Sequence, residues 1–274
     1  MAESQYWKTD NKAGTNMEHL MKELLFDGII NPAWEKMYPG KEASILQVNF
    51  DDNPELQRRG GDLLWRTGNT IHPIDIKGQT DMINHPTPTF VLEGASRNKA
   101  DQYVTGWFLD DSKLTEYYVF VWVHDARHNN VVDLTVNDIN LMDCMLINRK
   151  NLRKYLENNG LNKEFLQAQV AEFVRRAENG EHGKLEKVLL DKGWGKKVKL
   201  VKTPQRNHGW VADPEKVEEP INIVVWKELY ADVPGTCYYL FQRQGDSLAC
   251  TSPIYSKSEV ARLTNKYRGQ SAAS

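Results

Sequence analysis

The chain has 274 residues, of which 40% are hydrophobic and 26% are charged, and its formal net charge is −2 at pH 7. This composition is typical of a folded globular protein and excludes a disordered or collagen-like chain. The small net charge also excludes a protein that coats nucleic acid through its overall charge, although it says nothing about a local basic face.

Neither an export signal nor a membrane-spanning segment is indicated by the sequence pattern. The opening residues MAESQYWKTDNK contain no apolar run, and the longest such run, residues 117–123, is far shorter than the ~20 residues that cross a bilayer. The three cysteines, Cys144, Cys237 and Cys250, are too scattered for a disulfide framework or a paired zinc site. We therefore expect a cytoplasmic protein without a membrane partner.

The first part of the chain contains a helical pattern followed by strand patterns. Residues 15–26 carry apolar side chains at helical spacing, which predicts an amphipathic helix. Residues 45–50 are predicted to form a short strand. Two further strands are predicted at residues 62–66 and 71–77, and the turn TGN at residues 67–69 joins them into a hairpin.

The middle of the chain continues the alternation of strands and helices. Residues 117–123 are apolar on both faces, which predicts a central strand. Helices are predicted at residues 151–158, with a glycine stop at Gly160, and at residues 162–177. The pattern therefore predicts an α/β core over residues 1–160.

The C-terminal part is predicted to be rich in strands. Strands are expected at residues 197–202, 221–230 and 236–242, and a last helix at residues 258–267. We therefore predict an α+β extension over residues 161–274, either as a separate part or packed on the core as one domain.

Charged residues interrupt the apolar hairpin GGDLLWRTGNTIHPIDIKGQ, residues 60–79. Because side chains alternate along a strand, Asp75 and Lys77 share one face while the neighbouring isoleucines point to the other. If the hairpin pairs as predicted, Asp62 lies near the end of its second strand. A charge buried without a partner is costly, so two carboxylates and one amine on one face indicate a chemical role.

Two carboxylates can hold a hard divalent cation. Mg²⁺ prefers oxygen ligands and keeps several waters, which suits two aspartates and the backbone carbonyl of Ile76. A bound metal lowers the pKa of its water, while the ammonium of Lys77 can orient the nucleophile or neutralise the transition state. The pattern predicts phosphodiester hydrolysis with Mg²⁺, for which Mn²⁺ can substitute.

The tripeptide Asp-x-Lys is not specific by itself, because it also occurs at residues 10–12 and 111–113. Only Asp75 lies in a run that is rich in strand formers and follows a Gly-Gly-Asp. The alternative interpretation is a surface salt bridge on an edge strand, which Pro73 favours because proline is excluded from central ladders.

The arrangement of a helix carrying Glu, then GGDLLW, then IDIKGQ resembles the PD-(D/E)XK nuclease superfamily, also called restriction-endonuclease-like, over roughly residues 15–125. The runs LQRRGGDLLW, IDIKGQTDMIN, PTPTFVLE and GWFLDDSKLTEYYVFVW are similar to bacterial and phage-type members. GGD replaces the commoner Pro-Asp or Gly-Ile-Asp. The resemblance implies a restriction-endonuclease-like core with a mixed β-sheet flanked by helices, and a Mg²⁺-dependent deoxyribonuclease.

The resemblance also implies the roles of individual residues. It assigns metal binding to Asp62 and Asp75, and it assigns action on the attacking water to Lys77. A glutamate on the first helix often completes such a site, and Glu18 is favoured because it flanks the apolar stripe. Its alternative role is that of a solvated helix charge.

Two more polar residues are candidates for the predicted site, and each has an alternative role or a competing residue. Glu23 lies farther round the first helix toward solvent and is the second choice for the helix acid. Gln79, two residues beyond the lysine, fits an accessory catalytic position in the resemblance, but it could equally cap a turn.

A basic segment follows in the C-terminal part. Residues 184–208 contain eight lysines and arginines against two acidic residues, an excess of six positive charges. Such a cluster can follow a phosphate backbone while Trp194 and Trp210 stack on bases, although a solvated strand face is an equal alternative. The predicted nucleic-acid-binding residues are Lys192, Lys196, Lys197, Lys199, Lys202 and Arg206.

Other motifs give weaker signals. The run HDARH at residues 124–128 has the spacing of a helical metal pair but follows a strand, which favours a polar hairpin loop. The sequence lacks a GxSxG elbow, a GxxxxGK[ST] loop and a GxGxxG fingerprint. The predicted function is a metal-dependent nuclease acting on DNA. The alternatives are a catalytically inactive nucleic-acid-binding protein of the same fold and a partner-binding protein.

Overall fold

The computed structural model describes residues 16–17, 20–21, 43–46, 59–67, 69–79, 82–98, 102–179, 188–189, 198–202 and 220–250. Within these residues the fold is α/β, with a mixed sheet of seven strands, a second sheet of five strands, and a few helices. None of the helices in these ranges is long and apolar enough to cross a membrane.

The strands, in chain order, are β1 (Ala43–Leu46), β2 (Leu63–Thr67), β3 (Thr70–Gly78), β4 (Thr89–Arg97), β5 (Tyr103–Thr105), β6 (Tyr117–Ala126), β7 (Ile139–Asn148), β8 (Val188–Leu189), β9 (Val198–Lys202), β10 (Ile221–Trp226), β11 (Cys237–Gln244) and β12 (Ser247–Cys250). Residues 16–17 and 20–21 are the described part of an N-terminal helix, and the other α-helices are α1 (Arg149–Asn158), α2 (Lys163–Glu178) and α3 (Lys227–Ala231).

The first sheet has the order β1-β2-β3-β6-β7-β11-β12 and the second has the order β5-β4-β10-β9-β8. In the first sheet β3 and β6 are parallel, and the remaining neighbours are antiparallel. The second sheet is antiparallel throughout. Both sheets contain strands from either side of residue 160, so the boundary predicted at residue 160 does not separate the two sheets.

The central strand β6 separates two apolar layers. Its aromatic and β-branched residues favour a strand, and they alternate between the two faces. Phe120 and its alternate neighbours pack against the second sheet, α1 and α2, and its ring stacks on Phe90 of β4 with centroids 4.3 Å apart. Val119 and Val121 face the opposite layer, which also contains Met21. This arrangement confirms the predicted central strand.

Several predicted elements are confirmed. β2 and β3 form the antiparallel hairpin, with Thr67 opposite Thr70 at the turn. Helix α1 begins after Asn148, whose side chain accepts a hydrogen bond from the Asn151 N–H at 3.1 Å, and Gly160 follows the helix with φ +81°. Helix α2 and the described residues of the N-terminal helix also match the prediction.

Two predictions about secondary structure, for residues 227–230 and for residues 124–128, were wrong, and the edge-strand alternative for β3 is also contradicted. Residues 227–230 are helical rather than extended, since β10 ends at Trp226 and α3 begins at Lys227. β3 is not an edge strand, because it lies between β2 and β6, and Pro73 precedes the parallel ladder, which begins at Ile74. The run at residues 124–128 is not simply a loop, because β6 continues to Ala126.

The short strands β5, β8 and β12 were not predicted from the sequence, and neither were two long strands, β4 and β7. Both contain polar residues, such as Glu93 in β4 and Asp143 in β7, that break the apolar pattern. The predicted helix at residues 258–267 lies outside the described residues, as do residues 47–50 of the predicted first strand.

A buried polar cluster connects the first sheet to α3. The carboxylate of Asp143 on β7 is 1% exposed and accepts hydrogen bonds from the Lys227 ammonium and the Tyr238 hydroxyl. His124 Nε2 lies 3.1 Å from its other oxygen, and Lys227 Nζ lies 4.2 Å from the Trp122 ring centroid. Burial acts to raise the pKa of Asp143, but Lys227 and His124 outweigh it and hold this pKa below its ordinary value. This ion pair gives the buried Lys227, the first residue of α3, a charged partner in the core.

Candidate active site

A cleft of about 440 Å³ lies between the β2–β3 hairpin of the first sheet and strands β4 and β5 of the second. The loop between β5 and β6 contributes the rest of its wall. The charged and aromatic side chains that line the cleft are Asp62, Asp75, Lys77, Glu93, Trp107, Asp110 and Lys113. The cleft therefore combines acidic groups from both sides with two basic ones, Lys77 of the first sheet and Lys113 of the loop.

Asp75 and Lys77 lie on the polar face of β3, opposite Tyr118 and Phe120 of the parallel strand β6. The Lys77 Nζ atom lies 2.8 Å from Asp75 Oδ1 as an ion pair, and the side chains are 30% and 2% exposed. Lys77 Nζ also lies 5.2 Å from the ring centroid of Trp107. This ion pair therefore lies inside the cleft. The alternative interpretation, a salt bridge on the protein surface, is wrong.

Asp62 lies directly before β2 and reaches the same cleft because of the hairpin register. Its N–H donates to the Ile74 carbonyl at 2.9 Å, and its Oδ2 accepts from the Ile76 N–H at 2.7 Å. Asp62 is 6% exposed. The hairpin therefore brings Asp62, Asp75 and Lys77 together, as the strand alternation predicts, although their catalytic roles stay predictions.

The charge of Lys77 is set by its acidic neighbours. Burial alone would lower the pKa of this ammonium, but the carboxylates of Asp75 and Asp62 raise it above its ordinary value. Lys77 is therefore a fixed cation in this cleft rather than a proton acceptor.

Gly60 accounts for the Gly-Gly-Asp at the start of the hairpin. Its φ is +81°, and a Cβ at this position would lie 2.2 Å from Thr115 Oγ1 and 3.4 Å from Asp75 Oδ2. The Thr115 hydroxyl donates to the Gly60 carbonyl at 2.8 Å. Only glycine therefore fits between Thr115 and Asp75 without a shift of the cleft wall.

Glu93 is an acidic residue of the cleft that sequence reasoning missed. Its Oε1 accepts hydrogen bonds from the Trp107 N–H at 3.4 Å and the Ser96 hydroxyl at 3.3 Å. Burial raises its pKa above the ordinary value, and the nearby Lys77 ammonium only partly opposes this. One sequence signal could have indicated Glu93. The apolar run FVL in PTPTFVLE is followed directly by this charged residue, just as Asp75 interrupts the apolar run of β3.

A second glycine allows the β5–β6 loop to approach Glu93. A Cβ on Gly106 would lie 2.5 Å from the Glu93 carbonyl oxygen and 2.8 Å from Glu93 Cγ. The Gly106 N–H donates to the Gly94 carbonyl at 2.9 Å. This close approach carries Trp107 into the cleft beside Lys77.

Gln79 has a different environment from the other predicted site residues. Its Nε2 donates to Thr87 Oγ1 at 2.9 Å and to the Thr89 carbonyl at 2.6 Å, and its Oε1 accepts from the Thr87 N–H at 2.9 Å. These bonds hold the segment before β4, which agrees with the turn-cap alternative. A catalytic role for Gln79 has no contact in the cleft to support it.

The remaining predicted residues lie mostly outside the described ranges. Glu18 and Glu23 on the first helix are among them. In the basic segment, Lys199 and Lys202 lie on β9, paired with Val224 and Ile221 of β10. The other predicted nucleic-acid-binding residues lie outside the described ranges, namely Lys192, Lys196, Lys197 and Arg206.

The donor set suits a divalent cation held by few protein ligands. Among the described residues, no group of three or more His, Cys, Asp or Glu side chains has metal-binding spacing. Asp62 and Asp75 nevertheless supply two carboxylates to one cleft. Mg²⁺ is commonly held by one or two carboxylates and keeps several waters, so these residues fit Mg²⁺ or Mn²⁺.

Comparisons with known proteins match the chain to no family model, no curated protein and no solved structure.

Proposed function

We propose that the chain is a metal-dependent phosphodiesterase that hydrolyses DNA in the cleft between the two sheets. One observation carries the proposal, namely that Asp62, Asp75 and Lys77 meet at one wall of this cleft. Two carboxylates beside an ammonium suit a reaction in which negative charge develops on a phosphoryl group. The resemblance to PD-(D/E)XK nucleases, seen in GGDLLW and IDIKGQ, agrees with this reaction.

Each residue has a separate task in the proposed reaction. Asp62 and Asp75 would hold Mg²⁺ or Mn²⁺, which supplies Lewis acidity toward the phosphodiester when bound. Lys77 places a fixed positive charge next to the phosphate, held by its ion pair with Asp75 and by the ring of Trp107. Asp62 also fixes the backbone of β3 through the Ile76 N–H.

The proposal predicts different defects for two substitutions. Asp75→Asn removes a carboxylate ligand, so it should weaken metal binding and abolish cleavage. Lys77→Ala should leave metal binding largely intact and lose the hydrolytic step, because the ammonium acts on the reacting phosphate. Asp125→Asn is the matched control, since Asp125 is exposed near the C-terminal end of β6, outside the cleft, where its side chain accepts a hydrogen bond from Asn140.

The assay is cleavage of plasmid and single-stranded DNA with Mg²⁺ or Mn²⁺, with calorimetric titration of metal into each variant. Wild type and Asp125→Asn should cut the DNA, and a chelator should stop them. If wild type cuts neither DNA nor RNA with either metal, or if Asp75→Asn cuts as well as wild type, the phosphodiesterase proposal is wrong. Binding without cleavage would instead favour the inactive nucleic-acid-binding alternative.

A further inference from the structure

We propose that Glu93 is the general acid of the cleft, which protonates the oxygen that leaves the phosphodiester; this rests on the proposed function. Glu93 comes from β4 of the second sheet, whereas Asp62, Asp75 and Lys77 come from the first. All four line the same cleft. A phosphodiester in the cleft would therefore have the two aspartates and the lysine on one side and Glu93 on the other.

The side chain of Glu93 is held with one oxygen available to the cleft. The Trp107 N–H and the Ser96 hydroxyl both donate to Oε1. Within the described part of the chain, no hydrogen bond to Oε2 is formed. The close approach of Gly106 to the Glu93 backbone further fixes this position, because any larger residue there would push the loop away.

The surroundings of Glu93 favour a carboxyl group that keeps its proton. Burial raises its pKa. The Lys77 ammonium, the hydrogen bonds from the Trp107 N–H and the Ser96 hydroxyl, and the more distant Lys113 oppose that shift without cancelling it. The other charged groups that line the cleft are the acidic residues Asp62, Asp75 and Asp110. Burial is therefore the cause that keeps the pKa of Glu93 above its ordinary value.

The proton transfers balance over one turnover. The oxygen of the attacking water forms a bond to phosphorus while the bond from phosphorus to the leaving oxygen breaks. The Glu93 carboxyl gives its proton to that leaving oxygen, which departs as an alcohol. The attacking water releases one proton to solvent, and the Glu93 carboxylate takes one proton back from solvent. During the step the Lys77 ammonium lies near enough to stabilise the new carboxylate.

The test compares two leaving groups at the same bond. The bond that wild type cuts is first mapped in an oligonucleotide, and the leaving oxygen at that bond is then replaced by a bridging sulphur. A thiolate leaves without protonation, so it needs no general acid. Glu93→Gln should slow cleavage of the oxygen substrate by about 10²–10⁴-fold, the usual contribution of a general acid, and should slow the sulphur substrate far less.

The pH profile gives a second readout. In wild type, the rate for the oxygen substrate should fall as the pH rises through the raised pKa of Glu93, and Glu93→Gln should lack this fall. Glu93→Asp keeps the acid but shortens it by one methylene, so it should retain the fall in rate with rising pH at a lower kcat. Glu172→Gln on the exposed face of α2 is the matched control and should behave as wild type.

The outcomes separate this proposal from the proposed function. If wild type is active and Glu93→Gln is equally impaired on both substrates, or impaired on neither, Glu93 is not the general acid while the phosphodiesterase proposal stands. If wild type cuts neither substrate, both proposals are wrong. Should Glu93→Gln fail to fold, Glu93→Asp decides the matter through the same substrate comparison: a loss confined to the oxygen substrate supports the general acid, and an equal loss on both overturns it.

Discussion

Replacing Gly60 by alanine tests whether the cleft wall depends on the glycine of the Gly-Gly-Asp. The alanine would keep the φ of +81° only at a cost, and its Cβ would lie 2.2 Å from Thr115 Oγ1. Such a contact is well inside van der Waals distance, so Thr115 must move. Its 2.8 Å hydrogen bond to the Gly60 carbonyl would be lost or distorted.

The expected cost follows from these two effects. A non-glycine residue with a left-handed backbone costs about 1–2 kcal/mol. The loss of a hydrogen bond costs about 0.5–1.5 kcal/mol more. The free energy of unfolding should therefore fall by about 1.5–3.5 kcal/mol, which corresponds to a decrease in Tm of roughly 3–14 °C for a chain of this size.

Gly245→Ala is the matched control for backbone strain. Gly245 lies in the turn between β11 and β12 with φ +61°, and a Cβ there would meet nothing within 4 Å. Its cost should be the backbone term alone, about 1–2 kcal/mol. Urea denaturation of both variants gives the difference. If Gly60→Ala costs no more than Gly245→Ala, the packing of Gly60 against Thr115 does not matter and this reasoning is wrong.

Three further predictions concern buried charges. Lys227→Met leaves the Asp143 carboxylate buried without its cation and should cost about 3–5 kcal/mol in urea denaturation; a cost below 1 kcal/mol would contradict a buried ion pair there. Because Lys227 and His124 hold the pKa of Asp143 down against the effect of burial, the stability that Asp143 provides is present above about pH 4 and is lost on acidification. The stability difference between wild type and Asp143→Asn should therefore shrink as the pH falls below about 4. Burial raises the pKa of Glu93, so the folded state loses stability as the pH rises from about 4.3, the pKa of an unfolded glutamate, through the raised pKa of the folded state. Over the same pH range, Glu93→Gln should gain stability relative to wild type. A stability difference between the two proteins that is constant with pH would contradict the raised pKa.

The part of the site that the sequence predicts depends on local geometry. Alternation along one strand places Asp75 and Lys77 on the same face, and a short turn brings Asp62 back to them. These relations involve neighbours within one hairpin, so the pattern of residues 60–79 was enough to predict them. The same locality explains why α1 and α2 were predicted nearly to their ends.

The other wall of the cleft depends on contacts between distant parts of the chain. β4, which carries Glu93, is held by β10, where Ile221 pairs with Ala95. The short helix α3 likewise begins where Lys227 meets Asp143, 84 residues earlier in the chain. No local pattern marks such pairings, because the polar residues acquire their partners only when the two sheets come together.

Anomalous diffraction from crystals soaked in Mn²⁺ tests most directly whether the cleft is a metal-dependent phosphodiesterase site. A peak bounded by the carboxylates of Asp62 and Asp75 is expected in wild type, and the same peak should be absent from crystals of Asp75→Asn. Manganese bound elsewhere in wild type with no peak between these two carboxylates, or a peak that persists unchanged in Asp75→Asn, would contradict the proposed site.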